Sequence, residues 1–203
     1  MSVRTMVLAA VVVGVCAACS AEKPPPAAPP QIPTIVAPTS FTRVPQMVDR
    51  PLPDDCELIV PVEILHQRLG RELPGELQTI IGIPEPSLGR TGKIDCYYGM
   101  ERQALAAAPV IIGLATYVDE ATATGRVADS VAAERQDGAT VTEVEVGKRK
   151  ASLVVTKDER LLMGSLGKTT FVSRAKAGVL PDDVVGTFLA ALAQQAMTPI
   201  EEA

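Results

Sequence analysis

Ten of the 17 prolines of this 203-residue chain fall between Ser20 and Asp55, including Pro24, Pro25 and Pro26 in a row. Proline has no amide hydrogen to donate and pushes the residue before it out of the helical region. Neither a helix nor an interior strand can form across such a segment. It is predicted to be an extended, semi-rigid spacer at ~3.1 Å per residue, with a reach on the order of 100 Å. Whatever folds must lie on its C-terminal side. The predicted organisation is a leader over 1–18, a linker over 19–54, one folded domain over 55–198 and a tail over 199–203. Apolar residues between Ile32 and Val48 suggest that the second half of the linker lies on the domain surface.

The leader has one positive charge, Arg4, followed by an uncharged apolar run from Met6 to Val15 and small residues at Ala17 and Ala18. This is the three-part pattern of a secretory signal, and the run falls short of the roughly 20 residues a membrane helix needs. Its end, Cys16-Ala17-Ala18-Cys19, resembles the lipobox of bacterial lipoproteins. That resemblance implies that Cys19 is acylated (palmitate among its chains) and becomes the mature N-terminus. The position three before Cys19 departs from the pattern, holding Cys16 where leucine is usual. Cys16 is itself a poor acceptor, because β-branched Val15 stands where a small residue is wanted. Each buried acyl CH₂ contributes ~0.8 kcal/mol, and several chains on one cysteine anchor stably. The implied partner is the cell membrane, reached through the N-terminal lipid, with the domain on its extracytoplasmic face.

Periodicity divides the domain. Pro61 opens a helix over "VEILHQRLG", with Val62, Leu65 and Leu69 on one face and Gly70 as the stop. "ELQTIIGI" is read as a second short helix. "KIDCYYG" and "PVIIGLATYV" read as strands, the second alternating Val110, Ile112, Leu114 and Val118 onto one side. From Glu120 to Gln136 the period lengthens to that of a helix, with Gly138 just beyond. Four strand-like runs follow, "TVTEVEV", "ASLVVT", "RLLMGSL" and "TTFVSRA", joined by connections short enough for hairpins. The last helix, from Pro181 to Met197, opens with Asp182 and Asp183 at its positive dipole end. The order predicts an α+β domain: an antiparallel sheet of about five or six strands, covered on one side by two or three helices, with one disulfide.

Cys56 and Cys96 are the cysteines left outside the leader and its end. In an oxidising compartment two such thiols are most simply a disulfide. A metal site would need further ligands, and the single histidine, His66, stands in no zinc-type spacing; neither metal nor cofactor is expected. His66 falls at the edge of a helix face, where half-buried packing is the default role over general-base work. The formal net charge of -5 argues against nucleic acid, since phosphate binding needs a basic surface. With aromatic residues at 3% and no Trp, the chain offers few stacking platforms. Lys148, Arg149 and Lys150 form a basic turn in an acidic protein, read as a solvated hairpin tip and, less often, a contact for an anionic partner.

The leader ending in cysteine, the spacer, "CELIVPVEILHQRLG", "CYYG", the Ala-rich central helix, the hairpins and the last helix together resemble actinobacterial lipoproteins of unknown function. More loosely they are similar to the extracellular sensor-type domains of mycobacterial kinases. The resemblance implies a surface-exposed, disulfide-bonded α+β domain that binds or senses without catalysis, its partner an unknown envelope protein or a small hydrophobic ligand. One alternative is a carrier of a hydrophobic envelope ligand, for which the small residues around Ala104 to Ala115 leave room. Another is a hydrolytic enzyme using scattered carboxylates, although nothing in the sequence marks the pair that such chemistry requires.

Overall fold

A computed structural model of the chain describes residues 46–199. Cys19, the leader, most of the linker and the last four residues lie outside the described residues. The domain has seven strands and three helices. These are α1 (Val62–Leu69), β1 (Glu76–Gly82), β2 (Arg90–Met100), β3 (Val110–Tyr117), α2 (Glu120–Gln136), β4 (Thr140–Val146), β5 (Arg149–Val155), β6 (Glu159–Leu166), β7 (Thr169–Lys176) and α3 (Asp182–Ala196). The strands form one sheet in the order β1-β2-β3-β7-β6-β5-β4, with every neighbouring pair antiparallel. The α+β class and the antiparallel sheet are as the sequence predicts. Two particulars differ.

The first is the segment read as a second short helix, which is β1. Leu77, Ile80 and Ile81 have the spacing of a helical stripe, but Thr79, Ile80 and Ile81 are a β-branched run that fits a pleated surface better than a helix. Pairing with β2, from Glu76 opposite Met100 to Gly82 opposite Lys93, decides between the two. It raises the count from the expected five or six strands to seven.

The second is that helices cover both faces instead of one. Residues directly opposite in an antiparallel pair share a face, and neighbours along a strand alternate. Cys96, Ile112, Ser173 and Leu162 stand in one such row. Together with Ile94, Leu114, Phe171 and Ala151 they define the face packed by α3 and α1. Leu161, Met163, Val172 and Val154 alternate with them, and α2 packs there through Val127 and Val131. Both faces carry apolar rows, so each requires a helix to exclude water.

The α3 face is the main core. Val185, Phe188, Leu189, Leu192 and Ala196 of α3 are buried against it, Leu189 and Leu192 completely. Cys56 and Cys96 are also fully buried and bonded, with Cα atoms 5.6 Å apart, tying the 3-10 turn Cys56–Leu58 to β2. Beside them the Tyr98 hydroxyl donates to the Val60 carbonyl at 2.6 Å. Burial and the nearby charges of Glu57 and Asp55 push its phenol far above the ordinary tyrosine range, so it is a neutral donor at any physiological pH. Gly70, at φ 73, ends α1 in the left-handed conformation that a side chain resists. His66 is half-buried, and its Nε2 accepts the Leu73 amide hydrogen at 3.2 Å, fixing the chain as it leaves α1.

The last residues of the proline-rich region pack on the domain as a strap. The Val48 amide donates to the Met197 carbonyl at 2.9 Å. Asp49 accepts from the Lys168 amide at 3.0 Å and the Thr169 hydroxyl at 2.8 Å. The Arg50 guanidinium donates to the carbonyls of Ala196 and Thr198, at the end of α3 where helix carbonyls lack internal partners.

A candidate ligand cleft beneath the second helix

α2 begins directly after β3. Asp119 caps it, its carboxylate accepting the Thr122 amide hydrogen at 2.7 Å. That bond, more than the charge of Lys168, holds the Asp119 carboxyl below the ordinary range. Ala123 packs on Ala115 and Tyr117 of β3, while Val127 and Val131 reach across to β6, β5 and β4. The helix therefore crosses its face diagonally and leaves part of β2, β3 and β7 uncovered.

The uncovered part is a cleft of about 330 Å³, at the small end of ligand pockets. Ile111, Gly113 and Ala115 of β3 form its floor with Val172 and Met163, and Arg126 and Ser130 of α2 form its wall. Lys93, Asp95 and Tyr97 of β2 enter from the far side. These three alternate with Ile94, Cys96 and Tyr98, which point into the α3 core, so a single strand serves the core and the cleft at once.

Gly113 stands opposite Asp95 in the ladder, and a Cβ on it would lie 2.6 Å from Asp95 Oδ1. The missing side chain is what allows the carboxylate to lie down on the floor. There Asp95 pairs with Lys93 Nζ at 2.7 Å, its side chain only 15% exposed. Two other cations of the cleft are paired at its rim: Arg90 with Glu85 at 2.6 Å and Arg174 with Glu159 at 3.5 Å. Arg126 differs from them. Like Arg90 it has an Nε shielded from solvent and without a hydrogen-bond partner, but among the described residues no carboxylate pairs with it. The Tyr97 phenol is raised above its ordinary range, chiefly by burial and then by Asp95, and stays a neutral hydroxyl.

The residues singled out from sequence lie elsewhere. Lys148, Arg149 and Lys150 are all exposed at the β4–β5 hairpin. Strand alternation separates the last two: Arg149 pairs with Val146 on the α3 face, and Lys150 with Glu145 on the α2 face. Lys150 also forms an ion pair with Glu143, which raises its pKa. The three cations do not converge. Asp182, read as a dipole partner of α3, is in addition ion-paired with Arg160 at 2.8 Å. His66 is on α1, on the opposite side of the sheet from the cleft.

Arg126, Arg174, Lys93 and Asp95 were missed because they come from three elements that are not neighbours in sequence. One signal was available. In "KIDCYYG" the polar residues Lys93 and Asp95 recur with period two, which marks a strand face that is not simply core.

No protein-family profile and no curated protein matches this chain. Among solved structures it is similar to the extracellular domain of PknH from Mycobacterium tuberculosis, with 10% sequence identity and a TM-score of 0.45. The similarity covers 72% of this chain and 97% of that one.

Proposed function

We propose that this protein is an envelope lipoprotein whose domain binds a ligand in the α2 cleft without transforming it. Acyl chains on Cys19 hold it to the cell membrane, and the proline-rich segment sets the domain off on the extracytoplasmic side. The observation that carries the reading is the chemistry of the cleft. Around an apolar floor its charged groups are ion-paired within the cleft or at its rim, Arg126 excepted among the described residues, and the chain's one histidine is on the other face of the sheet. Such a site is suited to holding a molecule; a nucleophile paired with a base would be needed to react with it. The buried Cys56–Cys96 bond supports an oxidising compartment, since disulfides persist there and are rare in a reducing cytosol.

A second reading, carriage of a small apolar envelope ligand, draws on the apolar floor at Ile111, Ala115 and Val172. Lys148 and Arg149, exposed at their hairpin, are candidate contacts for an anionic protein partner. Native mass spectrometry of the protein recovered from the membrane fraction tests the proposal. The expected species starts at Cys19 with diacylglyceryl mass attached. A second, non-covalent mass that extracts into organic solvent identifies a carrier. An unprocessed chain, or a mature chain without acyl mass, overturns the anchored reading.

A further inference from the structure

We infer that the α2 cleft selects a small organic acid, with its carboxylate on Arg126 and its apolar body on the floor formed by Ile111, Ala115, Val172 and Met163. The inference rests on the reading of this cleft as the ligand site and adds the class of ligand.

Charge comes first. Asp95 is taken by Lys93, and Arg90 and Arg174 by Glu85 and Glu159. Arg126 is the one cation of the cleft without a carboxylate among the described residues. A guanidinium with no carboxylate beside it among the described residues can take one from a ligand as a charge-assisted hydrogen bond. A carboxylate brings one negative charge and matches the fork geometry of arginine. A phosphate monoester brings -1.5 to -2 and would leave charge uncompensated in a half-apolar site.

The second argument is the floor. Ile111, Ala115, Val172 and Met163 offer apolar surface that a bare inorganic anion would leave wet. Asp95 lies over Gly113 and interrupts that surface, but its charge is already met by Lys93. Size is the third argument. A cleft of about 330 Å³ is at the small end of ligand pockets and suits a small molecule. A cationic ligand is disfavoured, because among the described residues Asp95 is the only carboxylate lining the cleft and Lys93 already holds it at 2.7 Å.

The test uses the full chain with Cys56–Cys96 oxidised and three probes of equal length: octanoate, octanol and octylammonium. Amide chemical shifts are followed on titration. Octanoate should move the amides of Gly113, Ala115, Val127 and Ser130 saturably, about tenfold more tightly than octanol. Arg126→Gln should weaken octanoate by about tenfold and leave octanol unchanged. Arg126→Lys should recover part of the loss, since the charge is kept and the fork is not. The amide spectrum of each variant also reports whether it is folded. Octanoate binding no more tightly than octanol, or indifferent to Arg126→Gln, overturns the inference. If octanol or octylammonium shifts the cleft amides and octanoate does not, the cleft stands as a site and the ligand class is wrong. If none of the three shifts them, the binding reading falls together with the inference.

Discussion

The two faces of the sheet are covered to different standards. α3 has 15 residues and buries seven of them, whereas α2 has 17 and buries only Ala123 and Val131. The α3 side also holds the disulfide, the Tyr98 hydrogen bond and the strap at the end of α3. The α2 side holds a diagonal helix and a cleft with one arginine, Arg126, that no carboxylate pairs among the described residues. Stability and binding are thereby separated: one face fixes the sheet, and the other can stay open because it is not needed to hold the sheet together. Strand β2 joins the two, presenting Ile94, Cys96 and Tyr98 to one side and Lys93, Asp95 and Tyr97 to the other.

The largest effect that would break this contrast comes from opening the disulfide. Replacing Cys56 and Cys96 together by Ala releases a loop of 40 residues. On the chain-entropy account the loss is about 4 kcal/mol, read as a lower midpoint in urea unfolding. The same loss should follow from adding reductant to the unaltered protein.

Next come matched truncations of the two helices. Leu189→Ala removes a fully buried side chain from the α3 core and should cost about 3 kcal/mol. Val131→Ala, at the smaller contact under α2, should cost about 1.5 kcal/mol. Equal losses in denaturant unfolding would erase the distinction between the faces.

The smallest expected effect sharpens it. The folded-state pKa of Asp119 is depressed by the Thr122 amide hydrogen, so its cap is intact above the unfolded-state value and is lost as pH falls through the folded one. Lowering the pH through the acid range should speed hydrogen exchange at the Thr122 amide before the α3 core opens. Asp119→Ala should remove that dependence.

Much of the architecture was legible because it depends on local chemistry. Pro61 and Gly70 bracket α1, the 3.6 period marks α2 and α3, and short polar connections mark the hairpins β4 to β7. β1 was misread because Leu77, Ile80 and Ile81 satisfy the helical spacing as well as lying in a strand, and only a partner strand separates those outcomes. The choice of face for α2 was equally hidden. "RLLMGSL" is apolar at successive positions, Leu161, Leu162 and Met163, so it states that both sides of β6 are covered without saying by which helix. The cleft was the least legible part. Its cations are ordinary surface-type residues one at a time, and the Gly113 in "VIIGLATY" has meaning only opposite Asp95.

The sequence by itself determined the elements with strong local codes: the helix ends, the hairpin connections and a cysteine pair suited to bonding. Tertiary structure alone decided which rows of side chains face each helix, that β1 is a strand, and that Arg126 has no carboxylate beside it among the described residues. The physical reason is range. Capping, turn chemistry and periodicity act within a few residues, whereas register and helix placement are set by burial between segments far apart in the chain.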